Sequence, residues 1–80
     1  MEIREIFASN LRRARHNAGL SQEDLAFQAD LDRTYISSLE RGLYSVSIDV
    51  IARLAEVLSV DPSDLLLKSK KARARGNAGK

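Results

Sequence analysis

Between Arg33 and Arg41 the chain gathers hydrogen-bond donors on one side of a short segment and keeps acids off it. At about 100° per residue, Thr34, Ser37, Ser38 and Arg41 share one helix face, with Arg33 at its margin. Ile36, Leu39 and Glu40 fall on the opposite face. A plain solvated face in a protein this rich in acid would mix in Asp or Glu. Guanidinium forks, hydroxyls and a threonine methyl suit the edges of base pairs and the phosphates beside them. Arg33 is the strongest base-reading candidate. Its fork matches O6 and N7 of guanine, and it stands at the helix N-terminus, the end that normally enters the major groove. The bland alternative is a solvated charge.

Other chemistries find no support. With no cysteine, disulfides, thiolate metal sites and cysteine nucleophiles are excluded. The single histidine, His16, has no second ligand or nucleophile at a suitable spacing, so neither a metal site nor acid–base catalysis is expected. There is no glycine-rich phosphate loop and no carboxylate pair in a plausible cleft. An enzyme, a cofactor and a small-molecule ligand are therefore not expected.

The donor face needs a helix to present it, and local signals supply one. Ser21 is a strong N-cap, and Asp24 stands where a carboxylate can reach back to the cap's N–H. Leu25, Ala26 and Ala29 give this first helix an apolar face. Asp30-Leu31-Asp32 favours a turn, and Asp32 is expected to cap the second helix. Gly42 follows its end, where a left-handed residue is wanted. Upstream, Ile3, Phe7, Leu11 and Ala14 form an apolar stripe on a helix from about Glu2 to Asn17, with Arg12, Arg13 and Arg15 near its C-terminal end. That basic cluster reads equally as dipole compensation or as phosphate contact. Downstream, Ser47 caps IDVIARLAEVL, whose apolar face is Ile48, Ile51, Leu54, Ala55 and Leu58, widened by Val50 and Val57. Asp61-Pro62 opens a short leucine-dense fifth helix, PSDLLLK.

The stretch SQEDLAFQADLDRTYISSLERG resembles the helix-turn-helix of the lambda-repressor/Cro-like (XRE) family. Within it, LDRTYIS and LERG are similar to the restriction–modification controller proteins, which are small dimeric transcription regulators. The likeness runs from about Leu11 to Leu66. It implies a compact all-α domain of five helices, with the helix-turn-helix at the second and third. It also implies that Gln22 contacts phosphate, that Tyr35 touches DNA and that Ser38 aligns with a base-reading position. Arg15 aligns with an arginine that pairs with the glutamate here numbered Glu40, pinning the first helix to the third. Phe27 could cover the core or lie exposed, because Leu25, Ala26 and Ala29 already fill the inner face; it matches a bulky residue in many relatives and is taken as structural. Relatives often carry Lys or Arg in the loop after Gly42, whereas this chain has Tyr44 and Ser45.

The family reading yields a homodimeric regulator on a palindromic operator. Ile48, Ile51, Leu65 and Leu66 are the expected dimer contacts, and autoregulation follows naturally if protein concentration is the signal. Glu23 and Asp24 read as dipole-favourable first-turn acids or as an acidic patch for RNA polymerase. The alternatives are an antitoxin of the same fold and a non-DNA protein-interaction module.

Charge supports a local interface only. Six of the thirteen basic residues lie in the tail from Lys68 onward, which leaves residues 1–67 with seven against eleven acids, a balance of −4. Residues 1–67 are therefore read as one DNA-binding and dimerisation domain. Residues 68–80 are read as a basic, disordered tail adding salt-dependent affinity without sequence preference. No apolar run approaches the ~20 residues of a membrane span. MEIREIF lacks the features of a signal peptide, so a cytoplasmic location is expected.

Overall fold

The computed structural model describes residues 2–68; the basic tail beyond them lies outside the described residues. Four α-helices and a 3₁₀ turn follow in order: α1 (Ile3–Asn17), α2 (Gln22–Ala29), α3 (Arg33–Glu40), α4 (Ile48–Leu58) and the turn Pro62–Leu65. Among the described residues there is no strand.

The helix boundaries follow from caps. Ser21 and Asp24 form a reciprocal capping box: Ser21 Oγ accepts from the Asp24 N–H at 2.9 Å, and Asp24 Oδ2 accepts from the Ser21 N–H at 3.2 Å. α2 ends where Asp30 turns left-handed at φ 59°, and the Leu31 N–H reaches back to the Ala26 carbonyl at 2.8 Å. Three residues therefore separate α2 from α3. Asp32 occupies the N-cap of α3 as expected, yet its side chain makes no capping bond. Gly42, at φ +71°, takes the left-handed position after α3, where its lack of a Cβ avoids strain. Ser47 Oγ caps α4 through the Val50 N–H at 3.1 Å.

The core joins Phe7 and Leu11 of α1, Leu25, Ala26 and Ala29 of α2, Ile36 and Leu39 of α3, and the α4 residues Ile51, Leu54, Ala55 and Leu58. Leu65 closes it from the 3₁₀ turn. Three expectations change here. The fifth helix is a single 3₁₀ turn. Asn10 explains its shortness: Nδ2 donates to the carbonyls of Leu65 and Leu67, at 3.0 and 2.6 Å, satisfying them where further helical N–H groups would otherwise be needed. The same clasp draws Leu65 onto α1, so Leu65 is only 1% exposed. Ile51 is 7% exposed, sharing the inward stripe of α4. Neither is therefore a free dimer contact, whereas Ile48 (82%) and Leu66 (38%) do face outward. Phe27, finally, is 86% exposed, because Leu25, Ala26 and Ala29 already fill the inner face of α2; it plays no part in the core.

Ser59 ends α4 in the left-handed conformation at φ 58°, a geometry that costs an L-residue about 1 kcal/mol or more. Ser59→Gly is expected to raise the unfolding free energy by somewhat less than ~1 kcal/mol, since glycine also gains freedom in the unfolded chain. Urea denaturation checks this; an unchanged or lower midpoint would show that the serine is not strained.

Candidate nucleic-acid interface

Gln22 and Arg33 are the first residues of α2 and α3, and they share one surface. With Arg15, Ser21 and Glu23 they line a shallow groove of about 390 Å³. The positive ends of two helix dipoles thus open on one surface, a natural seat for an anion. From there along α3, Arg33, Thr34 and Arg41 are exposed, and Tyr35 and Ser37 are half-buried. Tyr35 packs against the edge of the core. No carboxylate of α3 interrupts this face, since its one acid, Glu40, is turned inward.

Glu40 is the anchor. Its carboxylate accepts from Arg15 Nε at 2.6 Å, from Arg15 Nη2 at 2.9 Å and from Gln22 Nε2 at 3.2 Å. The arginine fork makes the paired geometry that gives ion pairs their strength and direction. Arg15 Nη1 donates further to the Leu20 carbonyl at 3.0 Å, so the buried guanidinium is well satisfied. The hydrogen bonds it donates to Glu40 hold the arginine above its ordinary range, against the opposing effect of burial. A raised basic pKa contributes stability that is complete below the unfolded value and lost only as pH rises through the folded one. Arg15 therefore stays charged at any physiological pH.

The chain matches the family model described as helix-turn-helix (HTH_3) over residues 11–65. It belongs to that family. It is 48% identical over 65 residues to control protein C.BamHI of Bacillus amyloliquefaciens, covering 80% of each chain. Its fold is similar to the crystal structure of the hypothetical transcription factor NHTF from Neisseria, with a TM-score of 0.85, 38% identity, and coverage of 92% of this chain and 85% of that one. It is also similar to the restriction–modification controller protein C.Esp1396I, solved as a tetramer in complex with its natural 35 base-pair operator. That likeness has a TM-score of 0.73, 29% identity, and coverage of 81% of this chain and 86% of that one. The chain is thus an XRE-type, DNA-binding transcription regulator with controller proteins among its relatives, and not an enzyme.

In this helix-turn-helix protein the structure places the expected site residues unequally. Arg33, Thr34 and Arg41 are exposed on α3, and Ser37 and Tyr35 are half-buried beside them. Ser38 departs from expectation: it is 8% exposed. The helix closes just beyond it, where the Leu43 N–H bonds the Ser38 carbonyl at 3.1 Å across Gly42. In the isolated protomer Ser38 therefore offers little surface. Gln22 is half-buried and already spends one N–H on Glu40. Arg15 and Glu40 are joined as the resemblance implies.

Two residues had no signal in the sequence: Asn10 holds the 3₁₀ turn, and Arg53 Nη1 donates to the Ala29 carbonyl at 3.2 Å. Arg12, read from the sequence only as part of a basic cluster, donates from Nη1 to the Glu40 carbonyl at 2.9 Å. Among the described residues no group of His, Cys, Asp and Glu could hold a metal ion, and no helix is long and apolar enough to cross a membrane.

Proposed function

We propose that the chain acts as a homodimeric, controller-type regulator whose two recognition helices enter successive major grooves of a palindromic operator, about 34 Å apart. Arg33 reads a guanine, Thr34 meets a thymine methyl, and Gln22, Ser37 and Arg41 engage phosphates or base edges, with Tyr35 at the flank. The observation that carries this reading is the donor face of α3: exposed Arg33, Thr34 and Arg41 with the helix's one acid buried beneath them. The controller relatives, one of them solved on its operator, support it. Occupancy of the operator then regulates transcription by excluding RNA polymerase or recruiting it, in the cytoplasm, and the chain's own promoter is the first target.

The outward apolar residues Ile48 and Leu66 support pairing of two copies, because a two-fold interface uses each patch twice. Ile48→Asp is expected to weaken dimerisation by ~3 kcal/mol or more, about a hundredfold, since two isoleucines leave the interface at once. Sedimentation equilibrium of the two proteins, with a footprint on DNA upstream of the gene, tests both halves. A dimeric wild type, a monomeric variant and a two-fold footprint are expected. A monomeric wild type or unprotected DNA would contradict the reading.

A further inference from the structure

We propose that Arg12 and Arg53 are positioning residues, which set the angle of the DNA-reading helices by gripping their C-terminal backbone from the framework helices on either side. This rests on the regulator reading above. α2 and α3 each lack a basic residue in their own last turn. Their last carbonyls, of Ala29 and Glu40, belong to the set that a helix cannot satisfy internally. Among the described residues no backbone N–H is bonded to either. Each is instead met by an arginine from another element: Arg12 of α1 on Glu40, 28 residues away, and Arg53 of α4 on Ala29, 24 residues away.

The parallel is chemical as well as geometric. A guanidinium at a helix C-terminus supplies both the missing donor and the cation that the dipole favours. Coming from a neighbouring helix, it also ties the position of one helix end to another element. α1 thereby holds the C-terminal end of α3, and α4 holds the end of α2 at the turn that leads into the N-terminus of α3, so α3 is held at one end directly and at the other through the turn. Both arginines are otherwise exposed, so the grip is on orientation rather than on the core. Arg12 adds to the hold on Glu40 through the backbone, while Arg15 and Gln22 hold its carboxylate.

The test compares the full chain with Arg12→Met, Arg53→Met and the double variant, methionine keeping most of the apolar stem. Each is titrated against the duplex that the wild type enriches from random DNA and against a scrambled duplex of equal length, over a range of salt. Positioning predicts that affinity for the enriched duplex falls by about tenfold for each substitution, a coupling typical of packed networks. Affinity for the scrambled duplex and the slope of log K against log salt stay unchanged. A direct phosphate contact instead weakens both duplexes and lowers the slope by about 0.9 per lost contact; that result would overturn the inference. So would a fall in melting temperature with unchanged operator affinity of the folded protein. If the wild type enriches no sequence, the regulator reading fails and takes this inference with it. If it does enrich one and the variants bind it equally well, only this inference fails.

Discussion

Replacing Glu40 with alanine lowers the unfolding free energy by about 3–5 kcal/mol, the loss expected when one partner of a buried ion pair is removed. The reason is what remains. Arg15 Nε and Nη2 lose their acceptors in a position where the guanidinium is largely shielded from water, and Gln22 Nε2 loses its own. Small domains have a total stability of about 5–15 kcal/mol, so the variant sits near the edge of folding. At roughly 4–8 °C per kcal/mol for a domain of this size, the melting temperature falls by ~12 °C or more. The double variant Arg15→Met/Glu40→Leu should recover most of the loss, because replacing both charges by apolar groups removes the uncompensated ion. Thermal and urea denaturation measure both. A loss below ~1 kcal/mol for Glu40→Ala would place the pair with exposed salt bridges and remove it as the anchor of α3.

Arg33→Ala should act on DNA and not on the fold. Its side chain is exposed and makes no hydrogen bond among the described residues, so stability should change by no more than ~0.5 kcal/mol. Each lost bidentate contact with guanine costs about 1–3 kcal/mol of discrimination, and a two-fold complex loses it twice. Operator affinity should therefore fall by roughly 30-fold or more, with one base pair per half-site no longer distinguished. Arg41→Ala makes the contrast. If Arg41 meets phosphate, binding weakens alike on all sequences and the salt slope falls by about 0.9 per protomer. Titrations of both variants on the operator and on single-base changes of it separate the roles. Unaltered base preference in Arg33→Ala would move Arg33 from reading to plain charge.

Local signals explain what could be read from the chain. The Ser21–Asp24 capping box, the Gly42 stop and the inward side of α3 depend on residues within one or two turns of each other, where spacing alone sets geometry. The Arg15–Glu40 pair is 25 residues apart and was legible only through family resemblance. Arg12, Arg53 and Asn10 act on backbone carbonyls far away in sequence, and a carbonyl has no residue type to betray it. Ser38 shows a related limit. A helix treated alone shows which way a side chain points, not how much of it the rest of the fold covers. Ile51 and Leu65 illustrate the limit of an apolar stripe: the pattern marks a face to be covered, and only the fold decides between the protein's own core and a second copy.

The most direct test of the donor face on α3 is enrichment of bound sites from random duplex DNA at near-physiological salt, run with wild type and Arg33→Ala side by side. The account predicts a two-fold motif for the wild type, half-sites about one helical turn apart, and loss of one guanine from each half-site in the variant. Absence of any enriched motif with the folded wild-type protein, or the same motif from both proteins, would contradict it.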